Sequence, residues 1–237
     1  MGAGLERVKV FADGADRQGI LDLYANPVIK GFTTNPTLMR AAGIADYEYF
    51  ARDILEVVPD RPISFEVFAD DAVEMERQAL KIASWGENVY VKIPVTNTQG
   101  ESTVKLIEHL ASDGVKLNVT ALMTVAQVEQ VARPLVDGPA AYISVFAGRI
   151  ADTGRDPIPI MRGALEAMQI VPNCELIWAS PRELLNVVQA DEIGCHVITV
   201  THDLLKKLPI LGKDLDLYSL ETVQMFHRDA QAAAYEL

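Results

Sequence analysis

Short apolar runs and amphipathic stretches take turns along this chain. Runs rich in Val, Ile, Phe and Thr lie at 8–12, 31–34, 63–68, 89–93, 117–120, 142–146, 175–179 and 197–200. Residues of this kind, in runs of this length, predict β-strands. The segments between them include ADYEYFARDILEVV, AVEMERQALKIASW, ESTVKLIEHLASDG and VAQVEQVARPLV. Their apolar positions recur at helical spacing. Thr124 with Gln127 and Asp71 with Glu74 fit capping boxes at helix starts.

Strand and helix therefore alternate eight times, which predicts a (β/α)8 TIM barrel, with a doubly wound open sheet as the alternative. No linker, low-complexity tract or Pro/Gly-rich boundary interrupts the 237 residues, so 1–237 is read as a single domain. The tail, SLETVQMFHRDAQAAAYEL, predicts an additional C-terminal helix with Val223, Phe226 and Ala230 on one side. Such a helix either caps the barrel or packs on a neighbouring subunit.

Side chains alternate faces along a strand, and the outer face of a barrel must be apolar to receive helices. In the fourth strand Val89, Val91 and Ile93 take the outer face, which aims Tyr90 and Lys92 inward. The same parity pairs Phe11 with Asp13, Ser64 with Glu66, Asn118 with Thr120, Ser144 with Phe146, and Trp178 with Ser180. Thr33 and Asn35 close the second strand. Polar groups from several strands thus point to the C-terminal mouth, where barrel active sites lie. Each has a plain structural alternative. Lys92 is read otherwise as an ion-paired or snorkelling lysine, Asp13 as a helix cap, Glu66 as an ion-pair partner, and Asn118, Thr120 and Ser144 as loop caps. A desolvated lysine between two inward carboxylates is costly unless it is used.

The chemistry that fits is Schiff-base catalysis. An amine condenses with a ketone and becomes an iminium electron sink. A nearby carbon–carbon bond then breaks while carboxylates move the protons. Asp13 and Glu66 are the candidates for that task.

Composition narrows the partners. Hydrophobic residues make up 49% and charged residues 23%, and the net charge of −12 argues against nonspecific binding to nucleic acid or to an anionic membrane. No long apolar run predicts a membrane span. The two cysteines, Cys174 and Cys195, read as reduced thiols, and a cytoplasmic location is expected. His109, His196, His202 and His227 show no metal-ligand spacing, so no metal is expected. Neither GxGxxG nor a P-loop occurs, so nucleotide chemistry is not expected.

GFTTNPT at 31–37 and VYVKIPVT at 89–96 resemble the transaldolases. The chain length and the ending ETVQMFHRDA resemble their small branch, which includes fructose-6-phosphate aldolase. The resemblance runs collinearly from about residue 8 to 230. It implies that Lys92 is the Schiff-base lysine, Asp13 the acid/base aspartate, and Glu66 a glutamate working through a water with Thr120. It implies that Asn35, Asn118 and Ser144, with Thr33 and Phe146 beside them, hold a dihydroxyacetone unit. Arg149, Ser180 and Arg182 match the group that binds a phosphate. No cofactor is implied, because the lysine supplies the electron sink. Phosphorylated sugars, a place in the pentose phosphate pathway and a homo-oligomer, decamer or pentamer, are implied as well.

Two positions bear on the branch. Fructose-6-phosphate aldolases usually carry glutamine at the place of Glu66 and tyrosine at that of Phe146; here both match transaldolases. Pro181 in ASPRE stands where many relatives have an aromatic residue. The expected reaction is transfer of a dihydroxyacetone unit from fructose 6-phosphate or sedoheptulose 7-phosphate to an aldose phosphate. Release of free dihydroxyacetone, transfer from another anionic ketose such as a sulfonate, and a non-catalytic sugar-binding barrel are the alternatives.

Overall fold

The structure is a computed structural model and describes residues 5–235. Eight parallel strands close into a barrel in sequence order. They are β1 (Lys9–Asp13), β2 (Ile29–Thr33), β3 (Ile63–Glu66), β4 (Val89–Pro94), β5 (Leu117–Leu122), β6 (Ala141–Val145), β7 (Cys174–Trp178) and β8 (Val197–Thr201). Each expected strand is present, with ends shifted by one to a few residues. Helices connect them around the outside. Val89, Val91 and Ile93 of β4 and Leu117 and Val119 of β5 are buried against that helical layer, as the alternation requires.

The barrel interior is a separate apolar plug of Phe11, Tyr142, Ile177, Ala179 and Val197, with Tyr90 and Phe146 packed on it. Phe11 meets Tyr142 edge-on at 5.6 Å. Gly31 makes room for this plug. A Cβ there would come within 2.6 Å of the Phe11 ring.

β7 departs from the expected facing. Ile177 and Ala179 point inward, and Trp178 is fully buried in the outer layer. The run Leu176–Ala179 is apolar on both faces, so alternation alone does not set its phase. The ladder does: Ser144 pairs with Ile177 and Val145 with Trp178, and paired residues share a face. Ser180 still reaches the mouth, because its backbone turns to φ +61 directly after the strand.

Thr124 and Gln127 form the full capping box. Asp71 accepts from Glu74 N–H, but the Glu74 carboxylate is bound to Arg77, so that helix start is capped by one side chain only. The C-terminal helix runs Leu215–Ala232, and none of its residues is buried. Leu217, Leu220, Val223 and Phe226 stay exposed along it, so it does not cap the barrel.

Candidate active site

At the C-terminal mouth the strand ends surround a cavity of about 410 Å³. That volume suits a small sugar derivative. Asp13, Thr33, Asn35, Glu66, Lys92, Thr120, Ser144, Phe146, Arg149 and Ser180 all line it.

β3 and β4 pair Glu66 directly with Lys92, and β5 brings Asn118 level with Lys92 on the other side. Lys92 is only 6% exposed. Its Nζ donates to the Thr34 carbonyl at 2.9 Å and lies 3.1 Å from Glu66 Oε2. The structural alternative of an ion-paired lysine therefore has its partner, and that partner also faces the cavity.

Across the mouth, Thr33 Oγ1 donates to Asp13 Oδ1 at 2.7 Å. Thr199 Oγ1 lies 2.5 Å from Thr33 Oγ1. With Asp13 ionised, the hydroxyls point Thr199 to Thr33 to Asp13. Burial raises the Asp13 pKa above its ordinary value. The Lys92 charge and the Thr33 bond oppose that rise, and the Glu66 carboxylate adds to it. Asp13 is no helix cap. Asp16 caps the following helix by accepting from Gly19 N–H.

Thr199 also lines the cavity; it lies two positions after the inward-facing Val197, so the alternation of β8 is the signal for it. Thr120 lines the cavity, and its Oγ1 is buried with no hydrogen-bond partner among the described residues. Asn35 Oδ1 caps the helix Pro36–Ala41 through Leu38 N–H, at 3.0 Å. Asn118 is fully buried and does not line the cavity. Its amide accepts from Ser144 Oγ at 2.7 Å and donates to Ser64 Oγ at 3.0 Å. It orients Ser144.

The two arginines differ. Arg149 lines the cavity, with its guanidinium carbon 5.7 Å from the centre of the Phe146 ring. No carboxylate of the described residues pairs with it at salt-bridge distance. Arg182 does not line the cavity. It grips Asp152 through Nε (2.8 Å) and Nη2 (2.5 Å), and its Nη1 holds the Ser180 hydroxyl and carbonyl. This holds the Asp152 carboxyl below its usual range. Gly148 permits the close approach of these loops, because a Cβ there would meet the Ser180 carbonyl oxygen at 1.6 Å.

Among the described residues no group of three or more His, Cys, Asp or Glu side chains is arranged to hold a metal ion. Both cysteines are buried, and burial pushes each thiol up to about 12.

Solved structures share the fold at low identity. KGPDC from Streptococcus mutans superposes with a TM-score of 0.58 at 9% identity, covering 85% of this chain and 91% of that one. A 2,3-dimethylmalate lyase gives 0.54 at 13%, covering 95% and 94%. Sequence comparison is more specific. A protein of Streptococcus equi subsp. zooepidemicus named "Probable transaldolase" is 36% identical over 204 residues, 85% of this chain and 90% of that one. Proteins of the same name from Clostridium acetobutylicum and Methanococcus maripaludis are 36% and 33% identical, each over 85% of this chain and 89% of theirs. The sequence profile described as Transaldolase/Fructose-6-phosphate aldolase matches residues 10–237. A Lys92-centred barrel mouth and a match over nearly the whole chain agree: the protein belongs to the transaldolase/fructose-6-phosphate aldolase family.

Proposed function

We propose that the protein transfers a dihydroxyacetone unit from a ketose phosphate to an aldose phosphate through a Schiff base on Lys92. One observation carries the reading: a buried amine stands 3.1 Å from one carboxylate, and a second carboxylate lines the same cavity. As a class I transaldolase it uses an amine nucleophile for carbon–carbon bond exchange.

Each residue takes its own role. Lys92 Nζ, relieved of a proton, attacks the C2 carbonyl of the donor. Glu66 is the nearest acid/base group and delivers the proton with which the carbinolamine loses water. Thr120 supports that proton transfer from the neighbouring strand. Asp13 takes the C4 hydroxyl proton as the C3–C4 bond breaks, and the bonding electrons pass into the iminium to give an enamine. The aldose phosphate leaves. The enamine carbon attacks the acceptor aldehyde, Asp13 returns its proton to the new hydroxyl, and water releases the product ketose from Lys92. Ser144 and Asn35 hold the three-carbon hydroxyls. Arg149 and Ser180 receive the terminal anion, which a guanidinium suits when it is phosphate.

The exposed apolar stripe of Leu217, Leu220, Val223 and Phe226 supports a homo-oligomer built through the C-terminal helix, read as a ring of five or ten subunits. No described helix is long and apolar enough to cross a membrane. Buried, unpaired thiols support a cytoplasmic place of action.

The test is borohydride reduction in the presence of fructose 6-phosphate. A dihydroxyacetone-derived mass should appear on Lys92, and addition of an aldose phosphate before reduction should remove it. A chain that forms no adduct but binds the sugar is a non-catalytic barrel.

A further inference from the structure

Where β2 ends, two backbone groups of Glu66 lose their strand partner, and a single side chain supplies both. β2 and β3 run parallel, with Phe32 N–H donating to Pro62 O at 2.9 Å and Thr34 N–H to Ser64 O at 3.1 Å. One further step of that ladder would send Glu66 N–H to Thr34 O, and the N–H of residue 36 to Glu66 O. Neither bond is present. Residue 36 is proline and has no N–H to give. Thr34 O instead accepts from Lys92 Nζ. The Tyr47 hydroxyl fills the gap: it accepts from Glu66 N–H and donates to Glu66 O, each at 2.8 Å.

Tyr47 opens the helix Tyr47–Val57 and does not line the cavity. Phe65, Phe68 and Trp85 fix its ring, with centroids 6.4, 5.5 and 6.0 Å away. Burial holds the phenol well above its ordinary pKa, so it remains a donor.

We infer that Tyr47 is a positioning residue for the reaction: its hydroxyl replaces the missing β2 ladder and fixes the backbone that carries the Glu66 carboxylate. This rests on the reading of Glu66 as the proton carrier at Lys92. A phenyl ring at 47 keeps the packing but leaves both backbone groups of Glu66 unpaired.

The test is a double-mutant cycle on the full-length protein, reading kcat and KM for transfer in Tyr47→Phe, Glu66→Ala and the double variant. Tyr47→Phe should lower kcat by about 10- to 100-fold, as misplacement of a catalytic group does, and change KM far less. With Glu66→Ala already in place, it should cost no more than about twofold. An equal loss in both backgrounds overturns the inference and makes Tyr47 a general stabiliser. Native kcat in Glu66→Ala overturns the reading of Glu66 itself, and the inference with it. If Tyr47→Phe does not fold, the cycle is run with 3-fluorotyrosine at 47, which keeps the hydroxyl but alters its donor strength. A kcat change that needs Glu66 supports the inference, and no change or an equal change in both backgrounds overturns it.

Discussion

Glu66 Oε2 stands 3.1 Å from Lys92 Nζ because the two residues are direct partners on adjacent parallel strands. The carboxylate is therefore placed by backbone register rather than by a flexible reach. Glu66→Gln keeps the volume and removes the ionisable carboxyl group. Imine formation should slow by about 10²- to 10⁴-fold, the usual worth of a positioned acid/base group. Single-turnover trapping with borohydride checks this. Lys92→Arg keeps the charge and should give no adduct at all.

Asp13 should trade stability for activity. Burial raises its pKa above the ordinary 3.8, so the native state binds that proton more tightly than the unfolded chain does. Unfolding free energy then falls as pH rises from the unfolded value through the folded one. Above that window the cost is fully present; below about pH 3.9 it is absent. Asp13→Asn should raise Tm at pH 7, with the gain closing on acidification, while transfer drops. A Tm gain that is the same at every pH would point to packing instead.

The terminal anion should depend on Arg149 more than on Arg182. Arg149 faces the cavity unpaired among the described residues, whereas Arg182 is bound to both carboxylate oxygens of Asp152 through its Nε and Nη2. Arg149→Ala should weaken a phosphorylated donor by about 10- to 150-fold relative to an unphosphorylated one. Arg182→Ala should discriminate less. An exposed ion pair contributes little, so Asp152→Asn should free Arg182 and lower KM for the phosphorylated donor. Competition assays with both donor types separate these effects.

Phe146 should decide the fate of the enamine once the carbon–carbon bond has broken. Its ring lines the cavity on the wall that carries Ser144. A phenyl ring cannot deliver a proton to the enamine on Lys92 or order a water beside it. Transfer should therefore outrun release of free dihydroxyacetone, and Phe146→Tyr should shift the ratio toward release. The assay is dihydroxyacetone formed from donor ketose with and without acceptor.

The C-terminal helix should be an assembly element. Phe226 is 63% exposed on a helix with no buried residue. Phe226→Glu should lower the oligomeric mass seen by light scattering. The barrel should stay folded by circular dichroism, since the substitution touches no core residue.

Local pattern and three-dimensional arrangement divide the information on this protein. Strand length, β-branched composition and period-2 alternation are enough to place all eight strands, and the inward parity of β4 alone picks out Lys92. That works because one face of those strands must meet helices and cannot carry charge. The fit of GFTTNPT and VYVKIPVT to one family then suggests the roles of Asp13, Glu66 and Thr120.

Other features depend on what lies across space. β7 is apolar on both faces, so only its pairing with β6 sets Ile177 inward and Trp178 outward. Arg182 is a long side chain whose partner, Asp152, sits 30 residues away in sequence. Asn118 reads as a ligand by parity, and the closed barrel shows what parity does not: its amide is bonded to Ser144 and Ser64. Tyr47 reads as one more apolar position of a helix until that helix docks and its hydroxyl meets Glu66, where Pro36 has left the ladder without a donor. Alternation reports which face a residue takes. The partners of a buried amide, strand register without a polar face, and the partner of a long side chain are properties of the closed barrel.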